Sequence, residues 1–245
     1  MTRVQNLKVK IFADGADLKG ILEMAKLPHI KGFTTNPTLM RKAGITHYES
    51  FARELLANVT EHPVSFEVFA DDFPGMIAQG LAINSWGKNV NVKVPVMNTK
   101  GVFTGPVLKA LAAEGVVLNV TAIMTTQQVE DVANVLDPEV AAIVSVFAGR
   151  IADTGVDPIP HMSKCRDILA ARPKAELLWA SPREVLNVFQ ANDIGCHIIT
   201  CTNDMIAKLG LVGKDLVEYS RETVQMFYRD ALASAFSIDT KKSAA

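Results

Sequence analysis

Residues 89–98 read NVNVKVPVMN, and Val90, Val92, Val94 and Val96 alternate in it with Asn89, Asn91, Lys93 and Pro95. Side chains of a strand point alternately to its two faces, so the valines share one face and the polar residues the other. Burying an unpartnered ammonium costs several kcal/mol. A strand that hides a row of valines and carries a lysine on its other row therefore either wets that row or holds the lysine for chemistry.

The surrounding chain favours the second choice. Short β-branched runs recur at 7–14, 30–35, 63–70, 90–96, 116–123, 140–149, 175–181 and 196–202. Between them lie stretches of helical periodicity, several with a proline near the first turn and a glycine or asparagine at the end. Eight strand–helix units of this size and order predict an α/β fold, a (β/α)8 barrel, over 1–212. A doubly wound open sheet is the rival, but no GxGxxG follows the first run. The segment 213–245 predicts an added C-terminal helix and tail. It either belongs to the same domain or reaches another subunit, because Leu216, Tyr219, Val224, Phe227, Tyr228 and Leu232 recur at helical spacing.

Composition bounds the function. The 245 residues carry 25 Lys plus Arg against 26 Asp plus Glu, so no basic surplus invites nucleic acid. The opening MTRVQNLKVK lacks the apolar core of a signal peptide, and no apolar run is long enough to cross a bilayer. Cys165, Cys196 and Cys201 fit neither a disulfide framework nor a paired zinc motif, which predicts reduced thiols in a cytoplasmic protein.

In a barrel one parity of every strand faces the lumen, and the chemistry gathers at the carboxyl ends. The polar residues keep one parity: Asn91 and Lys93 in the fourth run, Asn119 and Thr121 in the fifth, Ser65 and Glu67 in the third. Thr34 then Asn36, Asp14, Ser145 with Phe147 before Arg150, and Ser181 before Arg183 extend the pattern to seven strands. Each has a structural alternative. Asp14 suits a helix cap, as do Asn36 and Ser181; Lys93 suits a salt bridge to Glu67; the arginines suit a solvated surface. Together they predict amine catalysis. A lysine within apolar walls has its charged form disfavoured, and the free amine attacks a carbonyl to form an imine, an electron sink. A nearby carboxylate then takes a hydroxyl proton and a carbon–carbon bond breaks. Two arginines at the mouth suit a phosphate.

FADGADL (12–18), GFTTNPTLM (32–40), VSFEV (64–68), VNVKVPV (90–96), AEGVVLNVT (113–121), VSVFAGRIAD (144–153) and WASPREV (179–185) follow the order of motifs in the transaldolase family. The chain resembles its small, single-domain branch, which also contains fructose-6-phosphate aldolases. That resemblance implies a class I aldolase mechanism on a (β/α)8 barrel, without metal or organic cofactor. It makes Lys93 the Schiff-base lysine and Asp14 the general acid/base. Glu67 and Thr121 would position a water during imine formation. Asn36, Asn119 and Ser145 would hold hydroxyls of the bound three-carbon unit, with Thr34 supporting them and Phe147 beside them. Arg150, Ser181 and Arg183 would bind phosphate. It also implies sugar phosphate substrates and a homo-oligomer.

Two branches of chemistry follow. A transaldolase keeps the dihydroxyacetone unit until an aldose phosphate accepts it, whereas an aldolase releases it. The aldolase branch typically has Gln where this chain has Glu67 and Tyr where it has Phe147, so both residues lean toward transfer. Gly15, Ala152, Pro158 and Pro182 depart from the common pattern on the acceptor side. A barrel that binds sugar phosphates without catalysis is a further alternative, although binding alone does not need a buried amine.

Overall fold

The valine rows of the sequence become the outer faces of barrel staves. The computed structural model describes residues 3–238, and within them eight parallel strands pair in chain order and close on one another. They are β1 (Lys10–Asp14), β2 (Ile30–Thr34), β3 (Val64–Glu67), β4 (Val90–Pro95), β5 (Leu118–Ile123), β6 (Ala142–Val146), β7 (Ala175–Trp179) and β8 (Ile198–Thr202). β8 pairs with β1 through Lys10–Ile198 to Asp14–Thr202, which completes the ring. Val90, Val92, Val94 and Val96 are all buried against the helix layer, and burying a valine stabilises by about 1.5–3 kcal/mol.

The helices are α1 (Leu18–Met24), α2 (Pro37–Lys42), α3 (Tyr48–Asn58), α4 (Phe73–Asn84), α5 (Gly105–Ala113), α6 (Thr126–Val135), α7 (Ala148–Asp153), α8 (Pro158–Leu169), α9 (Leu186–Asp193), α10 (Asn203–Lys208) and α11 (Leu216–Ala233). Their starts are legible in side chains. Asp17, Asn36, Asp72 and Asp157 each accept a backbone N–H at the head of α1, α2, α4 and α8, and Thr125 with Gln128 forms a capping box on α6. Asp17, not Asp14, caps α1, so the structural alternative for Asp14 falls away.

Below the mouth the lumen is filled. Phe12, Ile143, Leu178, Ala180 and Ile198 form an apolar plug separate from the core beneath the helices. Gly32 makes room for it: a Cβ there would lie 2.5 Å from the Phe12 ring. A plugged lumen leaves one end of the barrel for a cavity.

The strands are shorter than the β-branched runs. The run at 140–149 is a strand only to Val146, after which Phe147 turns the chain into α7. The run at 175–181 ends as a strand at Trp179, and α9 does not begin until Leu186. Both changes have one cause. Gly149 donates its N–H to Ala180 O, and a Cβ on Gly149 would lie 1.6 Å from Ser181 O, so the first turn of α7 meets the loop after β7 there and neither strand continues.

The C-terminal segment does form a helix. α11 buries none of its residues, and Leu216 and Val217 are each 79% exposed. The charged tail at 241–245 lies outside the described residues.

Candidate active site

The row opposite the valines of β4 does not meet water. Lys93 is 7% exposed and Asn91 6%, because that row faces the barrel lumen. Lys93 Nζ lies 3.2 Å from Glu67 Oε2 and donates to the Thr35 carbonyl at 3.1 Å. The parallel register sets Glu67 beside Lys93 across β3 and β4. The salt bridge from Lys93 to Glu67 is therefore present, and it forms inside the lumen rather than at a wet surface.

Lys93 opens into a cavity of about 460 Å³ at the carboxyl ends of the strands. Asp14, Thr34, Asn36, Glu67, Thr121, Ser145, Phe147, Arg150 and Ser181 line it with Lys93, so ten of the twelve residues singled out in the sequence share its walls. The two others stand apart. Asn119 is wholly buried and acts as a strut: it accepts from Ser145 Oγ at 2.7 Å and donates to Ser65 Oγ at 3.0 Å. Arg183 turns its fork onto both carboxylate oxygens of Asp153 and donates to the oxygens of Ser181. That pairing holds the Asp153 carboxyl below the usual carboxylate range.

Asp14 borders the cavity and is otherwise enclosed by protein. Burial pushes its carboxyl above the ordinary value, and the Lys93 charge and the Thr34 hydrogen bond only partly offset that. Thr34 Oγ1 donates to Asp14 Oδ1 at 2.8 Å and contacts Thr200 Oγ1 at 2.5 Å. Thr121 lines the same cavity, and its buried Oγ1 has no hydrogen-bond partner among the described residues. Asn36 spends its Oδ1 on the N–H of Leu39 at the head of α2, which leaves its amide N–H groups for the cavity. Arg150 holds its guanidinium 5.6 Å from the centre of the Phe147 ring.

Two wall residues carry left-handed backbone without being glycine: Ala122 with φ 61° and Ser181 with φ 59°. Such backbone costs energy and persists where its surroundings demand it. Ala122 lies in the register shift at the end of β5, and Ser181 lies where the β7 loop meets Gly149. Ser181 therefore does not cap α9, whose N-cap is Val185.

Three contributors lie outside the sequence pattern. Thr200 shares lumen parity with Ile198 and Thr202, a signal available in CHIITCT at 196–202. Asp153 stands one helical turn from Arg150 in α7. Tyr48 has no strand parity to betray it: from α3 its hydroxyl accepts the Glu67 N–H at 2.7 Å and donates to the Glu67 carbonyl at 3.0 Å. β3 ends at Glu67, and Tyr48 holds the backbone of that last residue. Among the described residues no three His, Cys, Asp or Glu side chains gather as metal ligands. Burial pushes the thiols of Cys165, Cys196 and Cys201 up to about 12, so each behaves as a small apolar side chain.

Comparison with known proteins agrees with the motif resemblance. The family model described as transaldolase/fructose-6-phosphate aldolase matches residues 11–244. A "probable transaldolase" of Nitrosopumilus maritimus is 34% identical over 203 residues, covering 82% of this chain and 87% of the relative. One from Shouchella clausii is 32% identical over 225 residues, covering 89% of this chain and all of the relative. Among solved structures, dihydrodipicolinate synthase from Rhodopseudomonas palustris aligns with a TM-score of 0.57 over 92% of this chain and 80% of its own, at 12% identity. At that identity the likeness concerns the barrel alone. Lysine-bearing cavity, motif order and matched length converge: the chain belongs to the transaldolase/fructose-6-phosphate aldolase family.

Proposed function

We propose that the protein is a transaldolase that moves a dihydroxyacetone unit from a ketose phosphate, such as sedoheptulose 7-phosphate or fructose 6-phosphate, to an aldose phosphate. The observation that carries this reading is a lysine amine in a buried lumen, 3.2 Å from one carboxylate and in one cavity with a second. Lys93 adds to the ketose C2 carbonyl, and loss of water gives the iminium. Glu67 takes and returns protons in that exchange, through a water that the unpartnered hydroxyl of Thr121 is suited to hold. Asp14 removes the C4 hydroxyl proton; the C3–C4 bond breaks, its electron pair runs to the iminium nitrogen, and an aldose phosphate leaves. The enamine then attacks the acceptor aldehyde, Asp14 returns its proton to the new alkoxide, and water adds to the regenerated iminium so that the product ketose leaves and Lys93 is free again.

In this reading Asn36 and Ser145 hold the three-carbon unit, with Thr34 and Asn119 behind them. Arg150, Ser181 and Arg183 take the phosphate, which draws the Arg183 fork off Asp153. Phe147 supports transfer over free cleavage, because a benzene ring has no proton to lend to the enamine.

The unsatisfied apolar surface of α11 supports a homo-oligomer in which that helix is an intersubunit arm. The three buried free cysteines support a reducing, cytoplasmic setting. No helix among the described residues is long and apolar enough to cross a membrane.

Incubation with fructose 6-phosphate and borohydride, read by mass spectrometry, tests the reading. A reduced three-carbon adduct on residue 93, absent from Lys93→Met, is expected. Erythrose 4-phosphate then yields sedoheptulose 7-phosphate; release of free dihydroxyacetone instead identifies the aldolase. An adduct that survives in Lys93→Met removes the assigned nucleophile.

A further inference from the structure

Thr200 hydrogen-bonds to neither carboxylate of the site, yet it is 7% exposed, lies on β8 and reaches the cavity wall. Among the described residues its side chain hydrogen-bonds to Thr34 Oγ1 alone, at 2.5 Å, and Thr34 Oγ1 in turn lies 2.8 Å from Asp14 Oδ1. The direction of this chain follows from counting protons. An ionised carboxylate only accepts, so Thr34 gives its single hydroxyl proton to Asp14. Thr34 then has no proton left for Thr200, and the 2.5 Å contact between the two oxygens requires one. Thr200 must supply it. Three adjacent strands, β8, β1 and β2, thus carry an oriented relay that ends on one named oxygen.

We propose that Thr200 is a positioning residue for the acid/base Asp14, acting through Thr34. The relay occupies Oδ1 as an acceptor and leaves Oδ2 as the oxygen that exchanges the proton with substrate. It also locks the carboxyl plane, because Thr34 is itself held by a second hydroxyl rather than free to rotate. A hydroxyl that already accepts a hydrogen bond is a stronger donor, so the relay favours the ionised form of Asp14. It thereby opposes the burial that disfavours that form. The other groups acting on Asp14 are Lys93, which favours its charge, and Glu67, which opposes it; the neighbouring Cys201 thiol is neutral.

This inference rests on the reading of Asp14 as the proton carrier, and the test separates the two. Transfer is measured against pH for the wild type, Thr200→Val, Thr200→Ser, Thr34→Val and the Thr34→Val/Thr200→Val double variant, with borohydride trapping on each. Thr200→Val is expected to lower kcat/KM about two- to tenfold, the range of one neutral hydrogen bond. It is also expected to move the acid limb to higher pH and to leave trapping at Lys93 intact. Thr200→Ser keeps the hydroxyl and restores both rate and limb. In the Thr34→Val background Thr200→Val adds nothing further, because the route between the two is already cut. An unmoved acid limb in Thr200→Val, independent losses in the double variant, or a serine variant that behaves like valine overturns the proposal. Absence of trapping in the wild type instead defeats the transaldolase reading and says nothing in favour of the relay.

Discussion

At Asp14 the demands of folding and of chemistry oppose each other. Burial disfavours its carboxylate, so its folded pKa lies above that of an ordinary aspartate. For a carboxyl with a raised folded value, the neutral form is the one the fold prefers. Stability is therefore highest below the unfolded value and declines as pH rises toward the folded one. Asp14→Asn, which cannot ionise, is expected to melt higher than wild type at neutral pH while losing cleavage; an unchanged or lower melting temperature counts against the burial argument. Activity has the opposite sign, since the base must be ionised, so the acid limb of the rate profile is expected above the ordinary aspartate range. Phe147→Tyr adds a hydroxyl beside the intermediate and is expected to raise release of free dihydroxyacetone, measured by product analysis; an unchanged ratio undermines the transfer assignment. Lys93, Asp14 and Glu67 were legible as residues because strand parity alone exposes a lysine opposite valines. Tyr48 was not, because it belongs to a helix whose periodicity marks it only as a core aromatic, packed near Phe66, Phe69 and Trp86.

Element ends carry the site, and element ends are what periodicity reads least well. The strand runs at 140–149 and 175–181 look continuous because Phe147, Ala148 and Ala180 carry their apolar character past the last paired residue, and nothing in apolarity alone says where pairing stops. Contact between Gly149 and Ser181 decides it. Gly149→Ala would drive a methyl into the Ser181 carbonyl, and the expected cost is about 1–3 kcal/mol as for other overpacked sites. Because Ser181 also accepts from Arg183, the same variant is expected to raise KM for phosphorylated substrates. Chemical denaturation and steady-state kinetics check the two parts, and wild-type values for both would remove the contact of α7 with the β7 loop as the cause. Tyr48→Phe tests the junction of α3 with β3. It strips a hydrogen bond from each of the Glu67 backbone groups, with an expected loss of about 1–3 kcal/mol, read by thermal melting.

At the scale of the whole molecule, the apolar side of α11 has no cover among the described residues. A barrel with a plugged lumen and a complete helix layer is self-sufficient, yet α11 leaves Leu216, Val217, Val224, Phe227, Tyr228 and Leu232 more than 60% exposed. Truncation after Gly213 is expected to leave the barrel folded and to reduce the assembly size seen by light scattering; an unchanged mass would show that α11 is no arm. The amino-acid sequence by itself determined the eight-fold alternation, the lumen-facing parity of the polar residues and the family. Each of these is a periodic or local property, and a period is visible without coordinates. Tertiary structure alone decided which polar groups meet. It joined Glu67 to Lys93, hung Asp14 on Thr34 and Thr200, turned Arg183 to Asp153 and pushed Asn119 beneath the floor. Those pairings depend on strand register and on where loops cross, and both are set by packing between residues distant along the chain.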